Sequence, residues 1–538
     1  MTIWVAYAAS IPMVSYTLGL MQSSPYKNSL FSVWAIILFI FLGNADSFSA
    51  YSLPDNDDWK RFYLKQLIQS FWVGWLVVSS GGSDFQYALW VIYSIVILKS
   101  GTRVASFKLA SRSSMLSKST KWVAPCRRRG EDKQNPREEP PEYHLRYNDD
   151  DRAKLVTVQD IWNCNGSLLS GGNGGRLKDV CLSMALSKML NRRFAGFQVL
   201  AESNLHKTRD FLFGGQLHGD RCVERAFRVI EVELAFVHDY FYTKYFLIYS
   251  SHHLFVTLSF AMVPTCGWLV PAFPPDSWNS SVLFSKLIGC ITSLRYFRSW
   301  EDKLGQYTLL KSFDYKPMNI LYYATFSLVN KTKKGRKEDK RVRLSMDVKK
   351  TVIETLKKNI GLGQLGNCVI SLHANEVEDE DQHGMGSTTT TTNQHVACSL
   401  SRYCAYLVAF APELLPDHSF VSESIFDALV EEARELLKGK KTMQQRKEAL
   451  RSQDHGDNRL LVVGGRLANN LIEIEHPGDR WKVLCDFWAE MMLYIAPSND
   501  AKAHLETLPR GGDFITHLWA LLTHGGILER PTGPAQNV

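Results

Sequence analysis

Apolar residues gather in two stretches of the chain, near its start and around residue 260, and polar and charged residues fill most of the rest. Met1 to Tyr26 carries no charged side chain. Its length, its aromatic content and the lack of a basic opening segment separate it from a cleaved leader. Residues 3–22 read as a first spanning helix, kinked at Pro12, which a bilayer helix tolerates when its neighbours satisfy the freed carbonyl. Ser29–Ala45 is the most apolar run, and at about 1.5 Å per residue it just crosses a hydrocarbon core of about 30 Å. From Gln66 to Leu98 only Asp84 interrupts the apolar pattern, and the turn-forming residues 79–84 divide it. This predicts a hairpin of helices over 63–80 and 85–101. Tyr245 to Pro275 again lacks Asp, Glu, Lys and Arg, which places a fifth helix near 247–270. A sixth, near 279–297, contains Lys286.

The polar segments then set an orientation. Lys99, Arg103, Lys108 and the Arg127–Arg129 cluster follow the fourth segment, and Arg295, Arg298 and Lys303 follow the sixth, whereas the turns at 79–84 and 271–278 hold no Lys or Arg. Basic residues concentrate on the cytoplasmic side, so both basic regions and both termini are expected there. Asp46, at the end of the second segment, and Lys286 are the candidate functional charges within the membrane, with the His252–His253 pair as a further hint.

Residues 104–244 form a cytoplasmic insert. Its Pro- and charge-rich portion, 125–153, reads as disordered, and the glycines at 171–175 as a flexible link, since the Gly-Lys-Ser/Thr ending of a phosphate loop is missing. Val223, Phe227, Ile230, Leu234, Val237 and Phe241 recur at helical steps, which predicts an amphipathic helix, packed or lying on a bilayer. Residues 301–395 read as a linker region. Within it, 331–350 holds ten Lys/Arg against three Asp/Glu, a pattern suited to anionic lipid head groups or to a solvated linker. Residues 376–395, acidic and then threonine-rich, read as a low-complexity loop. The last region, 396–530, patterns as a compact helical domain. Its helices break at Pro412 and Pro416, start near Ser419, Ser422 or Ser424, end at Gly439, and finish with a helix from Asp513 to Gly525.

Composition adds limits. The chain has 538 residues and a formal net charge of +8, so several structural units are expected. None of the ten cysteines forms a C-x-x-C pair, and all ten read as reduced and structural. No catalytic loop, nucleotide fingerprint or zinc motif is present. His517 and His524 share a helix face and could join His504 or Glu490 around a metal, though a packed polar edge is the default for such residues. No metal or other cofactor is predicted, and no nucleic acid partner.

Two groups of residues resemble a plant membrane-protein family. "ADSFSAYSLPDNDDWKR" (45–61) and "EVELAFVHDYFYTKY" (231–245) are similar to the domain of unknown function 4220. "LSRYCAYLVAFAPELLP" (400–416) and "FWAEMMLYIAPSNDAKAHLETLPRGGDFITHLWALLTHGGILER" (487–530) resemble its usual partner, the domain of unknown function 594. Family members carry one more hydrophobic helix ahead of the region matching residue 1, which implies an N-terminally shortened chain. They also carry a Trp-His-containing helix where this chain has its threonine-rich segment. The resemblance implies a plant membrane protein and no assigned activity.

The expectation is therefore a mainly α protein: a multi-pass helical membrane bundle plus a cytoplasmic α-helical domain. Its divisions are 1–103 (helices one to four), 104–244 (insert), 245–300 (helices five and six), 301–395 (linker) and 396–530 (C-terminal domain). The expected function is a membrane-anchored interaction or regulatory protein with a protein partner. A transporter or channel is the alternative, and a membrane-bound enzyme the third.

Overall fold

The computed structural model describes residues 2–24, 30–43, 56–79, 86–111, 158–164, 174–194, 220–243, 302–317, 333–361, 386–452, 459–510, 512–528 and 530. The described chain is mainly helical and divides into two compact units. The N-terminal unit comprises Met1–Gln134, Glu142–Val199 and Val232–Arg298; the C-terminal unit comprises Asn135–Pro141, Leu200–Glu231 and Ser299–Val538.

The N-terminal unit opens with α1 (Thr2–Ser23), α2 (Leu30–Gly43), α3 (Trp59–Ser79) and α4 (Gln86–Ala110). Helix α1 continues through Pro12. The four share a core that includes Leu18, Ala35, Phe39, Val73, Val77 and Tyr93. Small residues let the helices approach: a Cβ on Gly74 would lie 2.8 Å from the Tyr93 hydroxyl, which instead donates to the Ser70 carbonyl at 2.6 Å. Helix α4 runs well past the expected end at residue 101. After the apolar run stops, Val104, Phe107 and Ala110 keep one face buried, and Phe107 packs edge-on against Phe62.

Among the described residues, no helix is both long and apolar enough to cross a membrane. The most apolar, α2, has 14 residues, about 21 Å of helix against a core of about 30 Å. Helix α3 begins with Lys60, Arg61 and Lys65, and α4 ends with Lys99, Arg103 and Lys108. The expected fifth and sixth helices lie outside the described residues.

Next come α5 (Val158–Trp162) and α6 (Gly174–Phe194). The last two glycines of the expected flexible link form the first turn of α6 instead. Helix α6 is anchored where Lys178 donates to the Trp162 carbonyl at 2.8 Å and where Leu186 and Leu190 are buried. Helix α7 (Asp220–Tyr242) fulfils its pattern: Val223, Phe227, Ile230, Leu234, Val237 and Phe241 are all buried. It is thus a packed helix. The division between units falls within it, after Glu231.

The C-terminal unit contains β1 (Lys303–Gln306), α8 (Leu309–Ser312), β2 (Asp339–Arg343), α9 (Met346–Gly361) and α10 (Gly386–Phe410). After a 3₁₀ turn at Pro412–Leu414 follow α11 (Ser419–Leu436), α12 (Met443–Arg451), α13 (Leu460–Ile472) and α14 (Pro477–Ile495). The unit closes with α15 (Ala501–Thr507), a 3₁₀ turn at Leu508–Arg510 and α16 (Phe514–His524). Strands β1 and β2 pair antiparallel, Leu304 opposite Val342, with an irregularity before Gln306. Helix α10 lies at the centre, against α14, α9 and β1. The strand presses so closely on it that a Cβ on Gly305 would lie 2.5 Å from the Tyr406 ring.

Several local expectations change. The threonine-rich loop is the start of α10, so a helix does precede Leu400. Its polar, β-branched residues hide it from a propensity reading. The basic linker contains β2 and opens α9, and its charges are partly committed: Lys333 reaches Glu423 at 2.9 Å and Asp427 at 3.2 Å, and Arg336 lies 3.5 Å from Asp427. The N-cap of α11 is His418, whose ring nitrogen accepts from the Phe420 amide, rather than a serine. Helix α16 does stop at the expected Gly525, its C-cap, and the left-handed residue is the next one, Gly526, φ 76°. Its amide reaches the Thr523 carbonyl and that of Ile527 reaches Leu522, a Schellman closure.

Candidate functional site

Asp46, Lys286, His252 and His253 lie outside the described residues. Two other features of the described chain carry functional information. They are the outer surface of the N-terminal helices and a buried polar cluster in the C-terminal unit.

On α3, the residues Leu64, Leu67, Ile68, Phe71, Trp75 and Val78 recur at three- and four-residue steps and all face outward, with Phe71 62% and Trp75 53% exposed. The inward face carries Gln69, Val73, Leu76 and Val77. Tyr16, Leu20 and Trp34 extend the exposed apolar surface onto α1 and α2. Polar contacts lie inside: buried Ser32 donates to the Leu76 carbonyl at 3.0 Å, and buried Gln69 donates to Ser15 at 2.9 Å. A water-soluble bundle places its apolar stripe inward and its polar face outward; α3 shows apolar groups on both faces and charge only at its first turns.

The cluster in the C-terminal unit forms around the start of α16. Asp513 occupies the N-cap position but makes no side-chain bond to its own helix. Tyr403 of α10 takes that role. Its hydroxyl accepts from the Ile515 amide at 3.0 Å and points its own proton towards the Asp513 carboxylate at 3.4 Å. A tyrosine from a distant helix therefore satisfies a helix-start amide that an N-cap side chain would otherwise hold. One turn on, the His517 Nδ1–H donates to the Asp513 carbonyl at 2.9 Å, which fixes the neutral tautomer. Asp302, at φ 54° just before β1, receives Lys349 of α9 at 3.0 Å. The Lys349 ammonium also lies over the Phe227 ring, which stacks on Phe514.

Burial sets the electrostatics. It pushes the Asp513 carboxyl up to about 6, against the opposing pull of Arg341 and the Tyr403 hydroxyl. Burial, with the Lys349 charge beside it, holds His517 down at about 4. The Tyr403 hydroxyl is raised well above its ordinary value, by burial first and then by Asp513. The Cys404 thiol, next in sequence, is pushed up to about 12 by burial, which leaves it unreactive at neutral pH.

The three candidate metal-binding histidines are all buried. His504 stacks on Trp519 and bonds Thr516 at 3.1 Å. Among the described residues, no group of three His, Cys, Asp or Glu side chains is placed to hold a metal ion. His504 bonds a hydroxyl and His517 a backbone carbonyl. The chemistry of this cluster is that of a fastener: polar bonds and ring contacts tie α7, β1, α9, α10 and α16 together. Sequence reasoning found Asp513 and His517 as helix features but missed Tyr403, Lys349 and Asp302. Only the tertiary fold brings these three to the same place, and no spacing in the sequence marks them.

Comparison with known proteins finds two family matches. The family described as "Domain of unknown function (DUF4220)" matches residues 4–274, and that described as "Protein of unknown function, DUF594" matches residues 473–527. No curated protein and no solved structure matches the chain. The second match covers α14 to α16, and the partners Tyr403, Lys349 and Asp302 of its Asp513 and His517 lie ahead of it, in the same compact unit. The chain belongs to the DUF4220 family and carries a DUF594 segment near its C-terminus.

Proposed function

We propose that this protein is a multi-pass membrane protein whose N-terminal helices are solvated by lipid and whose C-terminal unit engages a protein partner at the cytoplasmic face. The observation that carries the reading is the outward apolar face of α3, continued by Tyr16, Leu20 and Trp34. In water such a surface is costly, at roughly 25 cal/mol per Å² left exposed; in lipid it is the expected exterior, with polar side chains bonded inside. The apolar run at 247–270, charge-free in sequence, supplies a further span in this reading. The basic segments after residues 98 and 294 face the cytoplasm, as the distribution of Lys and Arg in membrane proteins favours. Exposed Lys334 and Lys340 are available to anionic lipid. For partner engagement the C-terminal unit offers Phe420 and Ile425 on α11 and Leu460, Val463 and Leu467 on α13, all exposed.

The test has two stages. Membranes carrying the full-length chain are extracted with alkaline carbonate, and proximity labelling from a C-terminal tag then compares the chain with a Phe420→Ser/Leu467→Ser variant. The proposal expects the protein in the carbonate-resistant pellet, and a reproducible set of neighbours that the variant loses while staying in the pellet. Release into the carbonate supernatant would overturn the anchor. An identical neighbour set for both chains would overturn the partner surface.

A further inference from the structure

A cavity of about 610 Å³ opens in the C-terminal unit between the segment after α8, the end of α11 and the start of α12. Its size is that of a small-molecule pocket. Phe313 and Leu437, both buried, belong to the apolar cluster beneath it. Above them the lining holds seven Lys/Arg and three carboxylates. One of those carboxylates, Glu431, is paired with Arg434 at 2.6 Å, and Glu435 makes a long, exposed pair with Arg459 at 3.9 Å. Arg434 also donates to the Phe313 carbonyl, so it is held in place as part of the wall.

The remaining cations have no such partner. Lys316, Lys334, Lys438, Lys440 and Lys441 line the cavity without a carboxylate within ion-pair distance among the described residues. Arg446 is fixed at the back by donating to the Leu310 and Lys440 carbonyls and by stacking over Phe313, again without a carboxylate. Among the described residues, these six cations share the lining with Asp314 and the exposed Glu435. Part of this charge is explained by the C-terminal end of α11, whose carbonyls attract cations. That accounts for Lys438 and Lys440. It does not account for Lys316 and Lys334, which come from segments outside α11. The neighbouring Lys333 and Arg336 show what ordinary compensation looks like on this surface, since both are paired with acids of α11.

The geometry points to a binding site for a compact polyphosphate ester, of the size and charge of an inositol polyphosphate, either free or as a lipid head group. Several phosphates spaced around a small ring match cations that converge from three directions, and the fixed Arg446 and Arg434 provide planar donors at the back of the pocket. A monovalent anion would leave most of the charge unpaired. This inference is independent of the membrane reading, because the cavity is built wholly from the C-terminal unit.

The full-length chain in detergent micelles is titrated with inositol hexakisphosphate by calorimetry. In nanodiscs it is tested with phosphatidylinositol bisphosphate against phosphatidylserine at equal total charge. The site predicts saturable binding that weakens with salt. A Lys438→Ala/Lys440→Ala/Lys441→Ala variant should lose affinity by about tenfold or more, on the usual scale of a few lysine–phosphate contacts. The matching Lys→Arg variant should retain binding, and an exposed control away from the cavity, Lys447→Ala/Lys482→Ala/Lys502→Ala, should bind as the parent does. Preference for the bisphosphate nanodiscs assigns the site to a lipid head group, and binding of the soluble ester alone assigns it to a free ligand. Absence of saturable binding with both probes overturns the proposal, as does an equal loss in the control.

Discussion

Tyr403, Asp513 and His517 show how three side chains can fix a helix start without a side-chain cap of its own. Their titration has a consequence that is visible only by substitution. Asp513 has a folded pKa raised to about 6, so its contribution to stability is complete below about pH 4 and is lost as pH rises through 6. His517 has a folded pKa lowered to about 4, so its contribution is complete above about pH 6.5 and is lost as pH falls through 4. The two slopes oppose each other and largely cancel in the parent chain. Asp513→Asn removes the first and leaves the second. Hydrogen-exchange protection of α16, corrected for intrinsic rate, should then fall between pH 6.5 and pH 4 by about 3 kcal/mol more than it does in the parent. An unchanged profile would mean that His517 is not held neutral by its surroundings. None of this was legible in the sequence. Asp513 looked like an N-cap and His517 like the edge of a helix, and the residue that couples them to the rest of the unit lies 110 positions upstream of Asp513.

At the level of elements, the sequence showed most where periodicity was strong. Helix α7 was readable from its apolar spacing, α16 from its boundary residues Asp513 and Gly525, and α1 to α3 from their apolar runs. It showed least where a polar segment is made helical by what it packs on. Helix α10 begins in a threonine run that has poor intrinsic helix propensity, and its later residues Leu400, Tyr403 and Leu407 are fully buried at the centre of the unit. Strand β2 lies in a segment dominated by charge, and only its pairing with β1 defines it. The end of α16 was legible: Gly525 was expected to stop it and is its C-cap, and Gly526 supplies the left-handed turn. Gly526→Ala should therefore destabilise the unit by about 1 kcal/mol, because an L-residue with a Cβ resists that backbone angle, and Gly525→Ala should cost less. Thermal denaturation followed by circular dichroism distinguishes the two, and equal effects would contradict the assignment of the turn.

For the molecule as a whole, the division into an apolar N-terminal half and a folded polar C-terminal half was foreseeable from hydropathy. The extent of the C-terminal unit was not. It takes in the segment from residue 299 because β1, β2 and α9 pack with α10 and α14, although that segment reads as a linker. The functional charges sought in the membrane, Asp46 and Lys286, fall outside the described residues, so the membrane reading stands on surface chemistry instead. Its most direct test is hydroxyl-radical footprinting of the full-length chain in nanodiscs. Tyr16, Phe71 and Trp75 serve as probes on the N-terminal helices, and Phe420, 72% exposed on the C-terminal unit, as the internal reference. If lipid covers the N-terminal helices, the three probes are protected although the chain itself leaves them open, and Phe420 is oxidised readily. If Tyr16, Phe71 and Trp75 are oxidised as fast as Phe420, water reaches them and the lipid-solvated bundle is contradicted.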